Sequence, residues 1–299
     1  MTDEQLHRLL EDLDSLRTAT GRLEALARAD VPPGDLHAAE FKVFSQFNED
    51  GIIQHLVRHV EIPEPAFIEF GVEDYRESNT RFLLVNDLWH GLVLDSGDAH
   101  RRFVYEGQLG WRHRIEARSE FVARETVNDT FRAAGFTGDI GLLSIDVDGM
   151  DYWIWDAIDV VSPRIVAIEF NSLFGSEHAV TVPYDPAFDY FDAHWSTLYY
   201  GASLPALVDL GRRKGYGFVG CESHGANAFF VRDDVGAALP RRAAREGYVE
   251  SRFRGSRDEE GRLSFVTSHD DQRRLIADQT VELVPSGSRT TIGTLFGIT

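Results

Sequence analysis

The chain has 299 residues, of which 43% are hydrophobic and 26% charged, enough for one large α/β domain with additions or two small ones. Its formal net charge is −19 with no compensating basic stripe, which argues against nucleic acid and anionic lipid as partners and favours a small molecule. A single cysteine, Cys221, excludes an intrachain disulfide. No apolar run approaches the ~20 residues of a membrane span, and residues 1–10 lack an apolar signal core, so a cytoplasmic location is expected.

In chain order, residues 3–28 read as a helix. Leu6, Leu9, Leu13, Leu16, Leu23 and Ala27 recur at 3–4 spacing, broken at Thr20, a narrow stripe of coiled-coil type. It offers a surface for a second copy of the chain or for the adjoining domain. Val31-Pro32-Pro33-Gly34 ends the helix, so residues 1–38 form a helical arm and linker. From there to residue 232 the pattern alternates. Helix is expected over 50–60, 79–86, 120–134, 152–158 and 204–214. Strand is expected over 66–70, 91–95, 114–117, 140–147 and 164–170. Segments 216–221 and 226–231 read as a hairpin turning at Ser223-His224-Gly225. The expected fold class is α/β, Rossmann-like: a mostly parallel sheet, a C-terminal antiparallel hairpin and an N-terminal helix. Residues 233–299 are polar and punctuated, with helix over 270–277 and a strand over 280–284, and are expected to pack on the 39–232 domain.

In open parallel sheets, ligands bind beyond the carboxyl ends of the strands. Here those ends carry acids: Glu69 before Gly71, then Asp95, then Asp146 and Asp148, then Glu169 with Asn171. Burying so many carboxylates in one cleft is costly unless a ligand or metal meets them. Asp95 lies 24 residues past Gly71, close to the spacing at which an acid binds a ribose diol; the plainer alternative is a helix cap. Gly71 stands alone, without the glycine series that a pyrophosphate requires. That favours S-adenosylmethionine, which has no phosphate, over NAD. Glu69, Gly71, Asn79, Thr80, Asp95, Ser119 and Asp146 are the candidate donor-binding residues, Asn79 and Thr80 also as caps of the next helix.

A resemblance rests on Ser45-Gln46-Phe47-Asn48-Glu49-Asp50-Gly51, on Phe67 to Val72 and Glu77 to Thr80, on Leu143 to Tyr152, on Val182-Pro183-Tyr184-Asp185-Pro186 and on Gly225 to Phe230. Together these segments, within about residues 43–232, resemble FkbM-type methyltransferases of bacterial sugar and natural-product clusters. The resemblance implies a class I methyltransferase fold and O-methyl transfer to a small hydroxylated acceptor. Catechol-type and macrocin-type enzymes place an acid after the fourth strand and an acid-amide pair after the fifth. Asp146, Asp148, Glu169 and Asn171 are similar, and so are candidate ligands for Mg²⁺, although Glu169 and Asn171 are not adjacent.

Asp146, Asp148 and His178 are the candidate catalytic groups, and His194 and His224 are further candidate bases. The aromatic run Tyr184, Phe188, Tyr190, Phe191, Trp195, Tyr199 and Tyr200 reads as a lid or as local core. Three other functions fit parts of the pattern. Asp146-Val147-Asp148 also suits a metal-dependent glycosyltransferase, although few basic residues lie near the strand ends to neutralise phosphate. The N-terminal stripe suits a non-catalytic interaction protein, which would not require acids at strand ends. An NAD oxidoreductase ranks last for want of the glycine fingerprint.

Overall fold

Four apolar runs and the more polar edge segment 115–119 become five parallel strands, the apolar four alternating their side chains between two cores. They are β1 (Ala66–Phe70), β2 (His90–Asp95), β3 (Ile115–Ser119), β4 (Gly138–Ile145) and β5 (Val161–Glu169). The computed structural model describes residues 2–252 and 255–298. Ile68, Phe70, Leu143, Ile145 and Ile168 face one core, closed by helices 127–133, 151–157 and 204–214. Phe67, Val93, Leu142, Ile165 and Ala167 face the other, closed by helices 49–59, 81–86 and 99–105. A strand covered on both faces needs apolar residues at every position, which is why these runs do not alternate in polarity.

After β6 (Val180–Thr181), the hairpin β7 (Tyr216–Cys221) and β8 (Asn227–Arg232) completes a seven-stranded sheet of order β3-β2-β1-β4-β5-β8-β7. β8 alone runs against the direction of the other six strands. The chain is therefore a Rossmann-like α/β fold with a mostly parallel sheet and an antiparallel hairpin at one edge. The order reverses between β1 and β4, which makes their carboxyl ends the switch point where a crevice opens. Beyond residue 232 the chain returns to the sheet's carboxyl side. There β9 (Thr280–Leu283) and β10 (Ser288–Thr291) pair with β6 in a second, three-stranded sheet.

The N-terminal helix spans Asp3–Ala27, opened by a capping box between Thr2 and Gln5. No helix among the described residues is long and apolar enough to cross a membrane. Two expectations change. Helix over 120–134 contracts to Val127–Ala133, because residues 120–123 instead form the wall of a cavity. Helix over 79–86 begins at Arg81, and Asn79 and Thr80 do not cap it through their side chains. The Glu69 carboxylate reaches across from β1 and accepts from the backbone N–H groups of both residues, at 2.7 and 3.2 Å.

Candidate functional site

Two adjoining cavities open at the switch point. They share Gly71, Asp95, Asp146 and Asp148. The smaller, about 120 Å³, lies between Phe121, Val122, Met150 and Ile154, with Tyr184 and Phe188 over it. The larger, about 460 Å³, is acidic: Glu69, Glu73, Glu77, Asp95, Asp146, Asp148 and Glu169 line it against Arg257, the one arginine or lysine among the described residues of its wall. A cleft of about 860 Å³ lies elsewhere, beneath the N-terminal helix. Two of its acids are already neutralised, Asp14 by Arg81 and Asp74 by Arg76, so the unpaired carboxylates mark the switch point as the site.

Backbone geometry sets the crevice. Gly71 has φ +68° and passes so close to β4 that a Cβ there would lie 1.5 Å from the Asp146 carbonyl oxygen. Asp95 accepts from the N–H of Glu73 at 2.8 Å and of Gly97 at 2.7 Å, so its carboxylate is fixed facing the junction of the two cavities. The turn after β4 is tied by buried Asp151, which accepts from Val147 N–H at 2.9 Å and Gly149 N–H at 3.0 Å. Asp148 adopts φ +53° in this turn, a left-handed conformation that Asp tolerates better than most residues.

Asp146, Asp148 and Glu169 each bring one carboxylate oxygen to within 4.8 Å of the others. Among the described residues, none donates a hydrogen bond to any of these three side chains, and Glu169 Oε2 is buried without a partner. Water still reaches Asp148 through the mouth of the cleft. Enclosure by the protein pushes all three pKa values up; repulsion from Asp148 and Asp151 adds to it at Asp146, from Asp146 and Asp151 at Glu169, and from Glu73, Asp95 and Asp189 at Asp148, which rises to about 6. Facing carboxylate oxygens with no donor, among them the buried Glu169 Oε2, fit a divalent cation, which would hold them ionised.

Asn171 does not join this group. Its amide nitrogen donates to the carbonyls of Leu198 and Tyr200, both at 3.0 Å, and its Oδ1 accepts from Leu173 N–H at 3.0 Å. It holds the returning 198–200 loop against the end of β5. Ser119 donates to Asp98 at 2.9 Å and lies outside both cavities, although it is in register with Asp95. Thr80 is spent on Glu69 and Tyr75. Asn79 lines the acidic cleft and donates to Ser144 at 3.0 Å. His178 packs edge-on against Phe296, and neither it, His194 nor His224 lines either of these two cavities. The aromatic run divides: Tyr184 and Phe188 cover the small cavity, Tyr190, Phe191 and Tyr200 line the large one, and Tyr199 enters the core.

Several residues on these walls carry no isolated sequence signal. Gln46 and Phe47 enter the cleft because Asp50 Oδ2 gathers the N–H groups of Val43, Phe44 and Ser45 at 2.7–2.8 Å and so fixes the loop before them. Ser251, Arg257, Leu263, His269 and Gln272 come from the segment after residue 232. Only the asymmetry of the 45–51 motif, where two acids follow a Ser-Gln-Phe-Asn run, hinted at such a loop.

No family model matches the sequence, and no curated protein matches it. Among solved structures, the chain is similar to an O-methyltransferase family protein from Burkholderia thailandensis, at 13% identity over 62% of this chain and 59% of that one, TM-score 0.37. It is also similar to the O-methyltransferase NcsB1 from neocarzinostatin biosynthesis, in complex with S-adenosylmethionine and 2-hydroxy-5-methyl naphthoic acid, at 16% identity over 56% and 49%, TM-score 0.33. A third is an S-adenosylmethionine-dependent methyltransferase from Clostridium acetobutylicum, at 10% identity over 69% and 94%, TM-score 0.34. The chain spans 59% of the length of the first and 49% of the second.

Proposed function

We propose that this chain is an S-adenosylmethionine-dependent O-methyltransferase of the FkbM type, acting on a small hydroxylated acceptor, a sugar or a natural product, with a divalent cation at Asp146, Asp148 and Glu169. The observation that carries the reading is the pair of cavities meeting at Asp95: a narrow one walled by apolar side chains and a wide one walled by acids. Phe121, Val122, Met150 and Ile154 suit a flat base. Asp95, held by two backbone donors, keeps lone pairs free for a ribose diol. The acidic wall suits the positive charge of a sulfonium and disfavours a nucleotide diphosphate, which needs more cations than the one arginine, Arg257, among the described residues of that wall.

A bound donor would supply a sulfonium methyl group for the acceptor oxygen, leaving as S-adenosylhomocysteine, and the hydroxyl proton would pass to solvent water at the open mouth beside Asp148. A cation at the three carboxylates would supply Lewis acidity that favours the deprotonated hydroxyl. The protein's own part is alignment: the turn tied by Asp151 sets Asp148 between donor and acceptor space, and Tyr190 and Tyr200 line the acceptor side.

Calorimetric titration with S-adenosylhomocysteine is expected to show micromolar binding, weakened at least about a hundredfold by Asp95→Ala with the far-ultraviolet spectrum unchanged. Unaltered affinity in that variant would remove the ribose assignment, and no binding by the wild type would remove the donor class. Asp148→Asn is expected to cost activity by about a hundredfold or more while S-adenosylhomocysteine affinity stays within a few fold, and to abolish the thermal stabilisation that Mg²⁺ or Mn²⁺ gives the wild type. Equal losses of activity and donor affinity would move Asp148 into the donor site.

A further inference from the structure

The helix Asp3–Ala27 is amphipathic in the wrong sense for a helix that serves only its own domain. Its polar side faces inward. Asp14 pairs with Arg81, Arg22 Nε donates to Asn86 at 2.6 Å, and Arg58 donates to the Ala25 carbonyl at 3.0 Å. Gly21 brings the helix so close that a Cβ there would lie 2.5 Å from Val43 and 2.8 Å from Phe82. The leucine stripe faces outward. Leu16, Leu23 and Leu26 are 64%, 68% and 69% exposed, and Leu6, Leu9 and Leu13 between 41% and 48%. A single exposed leucine is ordinary, but a continuous row of them marks an interface.

We infer that this helix pairs with the same helix of a second copy as a parallel, in-register, two-stranded coiled coil. The outward residues occupy strict heptad positions: Leu6, Leu13, Thr20 and Ala27 at a, and Leu9, Leu16 and Leu23 at d. The domain contacts made by Asp14, Gly21, Arg22 and Ala25 fall at b, c and f, so the partner helix and the domain occupy opposite sides. Charge selects the orientation. Asp12 lies at g and Arg17 at the following e, and both are exposed. In a parallel in-register pair each Asp12 faces Arg17 of the other helix, twice by symmetry; an antiparallel pair sets g against g and loses both contacts. Thr20, the one polar residue at a, meets its own copy only in that register.

Cys221 is buried, so a new surface cysteine would be the accessible thiol of the chain. Leu9→Cys and Leu23→Cys, each alone, are expected to form a disulfide-linked dimer on mild oxidation, because each meets itself in the parallel register. Sedimentation at about 50 µM is expected to show a wild-type dimer. Leu16→Asp with Leu23→Asp should weaken it by more than about a hundredfold, with the melting transition of the domain unmoved, since both side chains are exposed. A wild-type monomer at that concentration overturns the inference. So does a dimer that survives the double substitution, or one that neither cysteine links.

Discussion

Gly71→Ala is expected to lower stability by about 3 kcal/mol or more and to abolish donor binding in whatever fraction folds. The cause is local. At φ +68° any Cβ is strained, and this one would lie 1.5 Å from a main-chain oxygen, that of Asp146. No rotamer relieves a contact between two backbones, so the end of β1 or the turn after β4 must move. Gly71 N–H also donates to the Leu94 carbonyl at 3.0 Å, which ties the same residue to the end of β2. A shift would therefore disturb Asp95 on one side and Asp146 with Asp148 on the other. Thermal unfolding and calorimetric titration with S-adenosylhomocysteine check this directly. An alanine variant with wild-type melting and wild-type affinity would show that the two strand ends do not approach as described.

Glu49→Gln is expected to leave the fold intact, to raise stability at pH 8 and to flatten its pH dependence. Glu49 is fully buried; its carboxylate accepts from Phe47 N–H and from the Asn227 amide, both at 2.9 Å. Burial, reinforced by repulsion from Glu222, raises its pKa from 4.5 to about 7. The folded protein thus holds a proton that the unfolded chain has already released between those pH values, so stability falls as pH rises from about 4.5 through about 7. Each pKa unit corresponds to about 1.4 kcal/mol, so the wild type should lose a few kcal/mol across that window from this group. Glutamine carries no charge to desolvate. Its Oε1 can still accept from Phe47, and its Nε2 can donate to Asn227 once that amide turns over. Melting temperatures at pH 5 and pH 8 for both proteins test the point. A variant less stable than the wild type at pH 8 would mean that Glu49 is ionised and stabilising in the fold.

The central sheet was legible because strands covered on both faces must be apolar throughout, and the runs at β1, β4 and β5 are bounded by glycine and acids. Asp95, Asp146, Asp148 and Glu169 followed from the same runs, since a strand end fixes where its next residue lies. What stayed hidden depends on segments far apart in sequence. Spacing placed Asn171 beside Glu169 but gave no sign that the 198–200 backbone returns to consume its amide. His178 was near in sequence, whereas the histidine on the cleft wall, His269, arrives from a later segment. Residues 120–126 have helical composition, yet 120–123 are held open as a cavity wall and the helix starts only at Val127. The heptads of the first helix were legible, but the side that faces the domain was not, because Gly21 and Asp14 decide it through contacts with Phe82 and Arg81.

The segment after residue 232 closes one wall of the acidic cleft, but none of its described residues lines the small cavity, whose described lining runs from Phe70 to Phe188. Donor recognition and acceptor recognition would then be written in separate stretches of the chain. Exchanging Leu263, His269 or Gln272 would reshape what enters the wide cavity without touching Asp95 or the sheet beneath it. On this reading the protein is a fixed methyl-delivery platform with an interchangeable selectivity cover, and altered acceptor range should be sought first in that C-terminal stretch.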